Sequence, residues 1–197
     1  MPRVVLASGN PGKLREVRAL LAAPALEIVG LDAIGAPALP AEGDDYEANA
    51  AAKALAAARA SGLVALGDDS GLEVEALGGA PGPRSARFGG PGLDDAGRIR
   101  ALLAALAGVP PERRGARFVC VAALADPDGA VVTARGECPG RIAAAPRGTA
   151  GFGYDPVFEV EPGGPTMAEL PAAEKERISH RGHAFRALRE ALRARVG

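Results

Sequence analysis

The sequence predicts an α/β fold with a mixed sheet, in one domain spanning residues 1–197. Three observations predict it. Helical and strand periodicities alternate along the chain, as expected of a sheet covered by helices. Arg117–Ala125 and Val131–Gly140, joined by Asp126-Pro127-Asp128-Gly129, read as a hairpin, so the sheet has more than crossover-linked strands. Neither a repeat nor a separate linker breaks the 197 residues, so two lobes of one unit fit better than two separable domains.

The elements follow in order. Residues 3–7 read as a first buried strand. Asn10 is a helix cap with Pro11 at the first helical position, and an amphipathic helix runs to about Leu21. Leu26 to Gly30 is a short strand, and Ala33 to Asp45 a loop punctuated by Pro and Gly. An Ala-rich helix covers Tyr46 to Ala60. Val64–Gly67 and Leu72–Ala76 are predicted strands, with Asp68-Asp69-Ser70-Gly71 as the turn between them. Gly78 to Gly92 is a long Gly/Pro loop, Asp94 to Ala107 a helix, Arg147 to Asp155 another Gly-rich loop, and Arg181 to Arg195 a terminal helix.

Composition narrows the function classes. Hydrophobic residues make 48% and charged residues 24%, which excludes a largely disordered chain. The net charge of −1 gives no general attraction to nucleic acid or to an anionic membrane, and aromatic residues are too few for a stacking platform. No apolar run approaches a spanning helix, and the N-terminal apolar run is too short for a signal-peptide core. Cys120 and Cys138 have neither CxxC spacing nor a nearby His, so a reduced, cytoplasmic setting fits better than a zinc site.

The basic residues are chosen unevenly, with twenty Arg against three Lys. Asn occurs twice, Gln never, His and Tyr twice each, and Ser five times. These rare residues cluster: Ser8, Asn10 and Lys13; Tyr46, Asn49 and Lys53; Ser70 beside Asp68 and Asp69; Lys175, Ser179, His180 and His183. Caps and turns account for several of the Ser and Asn residues. They do not account for three lysines in a chain that otherwise uses arginine.

Each cluster has a chemical reading and a plainer one. Ser8-Gly9-Asn10-Pro11-Gly12-Lys13 leads a strand into a helix N-terminus, where free amides, the helix dipole and Lys13 would attract phosphate. A simply capped helix would look the same. The segment is not a Walker A loop, because Leu14 stands where the metal-binding Ser or Thr belongs. Tyr46, Asn49 and Lys53 share one helix face. A face turned to water would be expected to carry Arg and Glu, so a ligand-facing stripe is the better reading. Asp68 and Asp69 are placed at a strand end, where carboxylates can hold Mg²⁺ and activate water, with Glu42 as a second oxygen donor. Asp-rich turns are also common without any such role. Phe152 and Tyr154 can stack on a base or pack their loop, and His180 can donate or sit satisfied in the core.

Taken together and in order, these segments resemble the inosine triphosphate pyrophosphatase, or HAM1-like, family of non-canonical purine NTP pyrophosphatases. The matching segments are Ser8-Gly9-Asn10 with Lys13 and Glu16, Glu47 with Asn49 and Lys53, and Asp68 through Val74. They continue with Gly82-Pro83, Ser85 through Phe88, Gly151 through Pro156, Lys175, and Ser179-His180-Arg181. The resemblance implies an elongated mixed sheet flanked by helices, two lobes with a substrate cleft between them, and usually a homodimer. It implies Mg²⁺-dependent conversion of ITP, dITP or XTP to the monophosphate and pyrophosphate; the absence of a nucleic-acid or membrane partner is expected from the charge and composition above. Ser8, Gly9, Asn10, Pro11, Gly12, Lys13, Lys53 and Lys175 would hold the phosphates. Glu42 and Asp69 would hold the metal, with Asp69 also activating water. Ser70 would touch the substrate, while Phe152, Gly153, Tyr154, Asp155, His180 and Arg181 would enclose and read the base. A Maf-like pyrophosphatase with another base preference and a non-catalytic nucleotide-binding protein are the competing readings. Tyr46 where Phe is usual, and a stretch between Gly82-Pro83 and Ser85 shortened to Arg84, are the departures from the family pattern.

Overall fold

The computed structural model describes residues 1–23 and 26–196. Strand β1 (Arg3–Leu6) leads into helix α1 (Pro11–Leu20), which Asn10 caps with Pro11 in the first turn, as its sequence predicts. Strand β2 (Glu27–Val29) follows, then α2 (Tyr46–Ser61), capped by the Asp45 side chain and ended by Gly62 at φ 68°. That left-handed angle explains glycine at this stop. Strand β3 (Ala65–Val74) and the short β4 (Pro81–Gly82) precede α3 (Asp95–Ala105), which Asp94 caps. Then come β5 (Gly115–Ala125), β6 (Val131–Ile142), β7 (Phe158–Glu159), α4 (Ala172–Ile178), α5 (His180–Ala187) and α6 (Arg189–Val196).

The hydrogen-bonded order of the sheet is β2-β1-β3-β5-β6-β7, with β4 paired to β3. β1 runs parallel to both β2 and β3, placing Val4 opposite Ile28 and Leu6 opposite Leu66. β4 and β7 pair antiparallel with β3 and β6, so the sheet is mixed, as the sequence predicts. The Asp126–Gly129 turn between β5 and β6 is closed by hydrogen bonds from Asp126 N to Ala130 O and from Gly129 N to Asp126 O.

The chain forms two compact units. The first contains Met1–Asp69, Cys120–Gly136 and Arg181–Gly197. Its core joins Val4, Leu6, Val17 and Leu66 to Leu124, Phe185 and Leu188. The alanines of α2 permit an unusually close approach to β3. A Cβ added at Gly67 would lie 2.8 Å from Ala54 N and 3.1 Å from its Cβ, and would also meet the Ala50 carbonyl. Gly67→Ala is therefore expected to cost about 1–3 kcal/mol, because helix backbone cannot yield as a flexible side chain would. Urea denaturation checks this; an unchanged midpoint would remove the close approach as the reason for this glycine. The second unit contains Ser70–Val119 and Glu137–His180. Leu72, Ile99, Leu102, Phe118, Tyr154, Phe158 and Met167 meet in its core.

Three expectations need correction. Asp68-Asp69-Ser70-Gly71 is not a turn: β3 runs unbroken from Ala65 to Val74, so both acids lie inside a strand rather than at its end. Turn propensity loses here because the two acids have buried cationic partners, described below. The terminal segment is three helices rather than one, with α4 absent from the expectation and a break at Leu188 between α5 and α6. Seven-residue α4 is too short to present a clear helical period. The Gly78–Gly92 loop holds strand β4 and a 3₁₀ turn at Ser85–Arg87. Among the described residues no helix is long and apolar enough to cross a membrane.

Candidate active site

The chemistry-bearing residues of the first unit gather around the two acids of β3. Successive side chains of a strand point to opposite faces, so Asp68 and Asp69 serve different partners. Asp69, only 3% exposed, accepts from Asn49 Nδ2 at 2.8 Å and from Lys53 Nζ at 3.2 Å. Lys53 Nζ also lies 2.7 Å from Glu42 Oε1. Asn49 in addition clamps the Glu42 loop, donating to Gly43 O at 3.0 Å and accepting from Gly43 N at 2.8 Å. Tyr46, Asn49 and Lys53 are all buried, so the polar stripe of α2 does face inward.

Electrostatics divide the two acids. Burial pushes the Asp69 carboxyl above its ordinary value, and outweighs the opposing pull of Lys53 and Asn49. Burial works against the Lys53 ammonium, but Asp68, Asp69 and Glu42 more than compensate and raise its pKa, keeping it charged. Asp68 is 1% exposed and must overcome still greater desolvation. Lys13, Arg181 and Lys53 hold it far below the usual carboxylate range. Its contacts are Lys13 Nζ at 2.9 Å and the Nη2 of Arg181 at 3.2 Å. Arg181 extends the network through Nη1 to Glu16 Oε2 at 2.6 Å.

The start of α1 differs from the expected set of free amides. Asn10 Oδ1 accepts from Gly12 N at 2.8 Å and Lys13 N at 3.3 Å, while Ser8 Oγ accepts from Asn10 N at 3.2 Å. These amides are already satisfied by the segment's own side chains, so Lys13 is its charged element. Gly9, Asn10 and Pro11 are exposed, whereas Gly12 is buried.

In the second unit, Asp155 organises the Gly151–Asp155 loop. Its Oδ2 accepts from Phe152 N at 2.9 Å and from Lys175 Nζ at 2.6 Å. Lys175 also stands 5.3 Å from the centre of the Phe152 ring, a cation–π distance. Tyr154 is buried and donates its hydroxyl to Ser85 O at 2.8 Å, so its ring packs the loop rather than standing open. Gly153 N donates to Asp95 Oδ2 at 2.7 Å. His180 is buried and stacks on Phe118, with centroids 4.7 Å apart and planes 15° apart. Ser70 is half-buried in β3.

The structure thus brings Lys53 together with Glu42 and Asp69, links Lys13 to Arg181 through Asp68, and joins Lys175 to Asp155 and Phe152. Residue type singled out Asn49 and Asp68, but Glu16 entered only through the family pattern and Asp95 not at all. Asn49 had a signal, since it is one of only two Asn in the chain. Glu16 and Asp95 are acids among 24, and their residue type carries none.

The chain is similar to known proteins over almost its whole length. The model of the Ham1 family matches residues 4–191. A dITP/XTP pyrophosphatase of Symbiobacterium thermophilum is 53% identical over 98% of this chain and 95% of its own. One from Methylococcus capsulatus is 49% identical over 99% and 98%. Among solved structures, a HAM1 protein from Coxiella burnetii superposes with a TM-score of 0.86 at 41% identity, covering 98% of this chain and all of that one. The Ham1 protein of Staphylococcus aureus gives 0.83 at 37% identity, covering 98% of each. On these matches, the chain belongs to the Ham1 family.

Proposed function

We propose that this protein is a pyrophosphohydrolase of non-canonical purine nucleoside triphosphates, converting dITP, ITP and XTP to the monophosphate and pyrophosphate. It would thereby remove deaminated purines from the nucleotide pool. The observation that carries the chemistry is the Asn49–Lys53–Asp69–Glu42 cluster. It offers a buried carboxylate with a raised pKa beside a fixed ammonium, which suits a base acting next to phosphate.

The donor set suits Mg²⁺. Glu42 and Asp69 already converge on one cation, the Lys53 ammonium, and Mg²⁺ is commonly held by one or two carboxylates together with substrate phosphates and water. When bound, the metal would neutralise charge on the phosphates and the departing pyrophosphate. Asp69 takes the proton of the attacking water, whose oxygen bonds the α-phosphorus as the α–β anhydride breaks. Lys53 and Lys13 supply positive charge to a chain of about four negative charges, as point donors well suited to phosphate oxygens. Within the 8–13 segment Lys13 contacts the phosphates, the Gly12 and Lys13 amides being held by Asn10; Lys175 adds a further cation and Ser70 a substrate contact. Phe152, Gly153 and Asp155 would enclose the purine, with Tyr154 bracing their loop through Ser85 O. His180 and Arg181 would donate to the 6-oxo oxygen of the base and leave the amino group of adenine unpaired.

We propose further that the enzyme works as a homodimer in the cytoplasm, a setting compatible with its two free, buried cysteines. A substrate panel tests the reading. Turnover of dITP and XTP should exceed that of dATP by two or more powers of ten, roughly the discrimination hydrogen-bond mismatch can give. Equal rates on dATP and dITP would contradict the base-reading role.

A further inference from the structure

Two glycine-rich loops of the second unit meet at a single carboxylate. Asp95 occupies the first position of α3, directly after its cap Asp94, where the helix dipole favours a negative charge. One oxygen accepts the Gly153 amide at 2.7 Å and the other accepts from Arg98 Nη2 at 2.7 Å. Arg98 Nη1 in turn donates to Ala86 O at 3.2 Å and to Leu93 O. The Asp95–Arg98 pair therefore fastens the 151–155 loop to the 85–93 segment. Tyr154 ties the same loop to Ser85 O, and Ser85 Oγ accepts from Leu72 N at 2.8 Å.

Glycine at 151 and 153 makes the loop costly to order. Gly153 sits at φ 62°, and an added Cβ there would meet no atom within 4 Å, so packing does not fix this residue. The peptide preceding it is instead oriented by a hydrogen bond to a charged acceptor, stronger than a neutral one. The Asp95 carboxyl is partly desolvated, yet Arg98 and the Gly153 amide lower its pKa, so the clasp holds it ionised.

We propose that Asp95 is a positioning residue for base recognition: through the Gly153 amide it holds the 151–155 loop in the conformation that accepts a 6-oxo purine and disfavours other bases. This inference rests on the functional reading above. Asp95 touches neither the phosphates nor the attacking water in that reading, so its loss should act on binding and selectivity rather than on bond cleavage.

The test is steady-state kinetics of wild type, Asp95→Ala and Asp95→Asn on dITP and dATP, with melting temperature and amide exchange of residues 151–155. Asp95→Ala should raise KM for dITP about tenfold, keep kcat within about threefold, and lower the dITP:dATP ratio of kcat/KM, as expected for loss of an orienting hydrogen bond. Exchange at Gly153 should accelerate. Asp95→Asn, whose side-chain oxygen still accepts the Gly153 amide, should recover most of the KM. A kcat loss at unchanged KM, an unchanged dITP:dATP ratio, or no rescue by Asn would overturn the proposal while leaving the function intact. A wild-type protein inactive on both dITP and XTP would overturn the functional reading, and this inference with it.

Discussion

Replacing Asp69 by Asn is expected to lower kcat for dITP by about a thousandfold, the middle of the range for a lost general base, while nucleotide binding changes by less than about threefold. The substitution preserves size and retains an acceptor for Lys53 Nζ, which lies 3.2 Å from Asp69 Oδ1, so the fold should survive. The proton-accepting carboxylate is lost, together with one of the two oxygens that accept from Asn49 and Lys53. Burial has raised the affinity of that carboxylate for a proton. Rapid-quench measurement of a single turnover, alongside calorimetric binding of a non-hydrolysable dITP analogue, separates the two effects. An Asn variant with near-normal kcat would remove Asp69 from the chemistry, and another group would have to activate the water.

Asp68→Leu is expected to have the largest effect on stability, about 3–5 kcal/mol, as when one partner of a buried ion pair is removed. Asp68 is 1% exposed and receives both Lys13 and Arg181, whose own guanidinium is 3% exposed. Without Asp68, Arg181 keeps Glu16 but loses its buried partner on β3. The double variant Asp68→Leu with Arg181→Met should recover much of the loss, because two apolar side chains then replace a broken pair. Guanidinium denaturation of the four proteins in this cycle measures the coupling. If the single and double variants were equally unstable, the pair would not be the source of the cost.

The adjacent acids of β3 also mark where the sequence was legible and where it was not. Rarity of residue type was a strong local signal: Lys13, Lys53 and Asn49 stood out in a chain that uses Arg and Ala, and all three take part in buried or half-buried contacts. The cap of α1 was legible because capping is local, with the Asn10 side chain bonding amides two and three residues on. The strand around Asp68 was not legible. An Asp-Asp-Ser-Gly run reads as a turn unless its charges are known to be neutralised, and Arg181 lies 113 residues away. Asp95 was missed for a related reason: its partner is a backbone amide 58 residues on, which leaves no trace in residue types. The Ham1 motifs located the segments, whereas contacts distant in sequence define how Asp68 and Asp69 divide their work.

The central claim is attack of water on the α-phosphorus, directed by Asp69. Hydrolysis of dITP in oxygen-18 water, with and without Mg²⁺, tests it most directly. The account predicts a Mg²⁺-dependent reaction that places the label in the monophosphate and releases unlabelled pyrophosphate. Label in orthophosphate, with dIDP as the nucleotide product, would place the attack at the γ-phosphorus and contradict it.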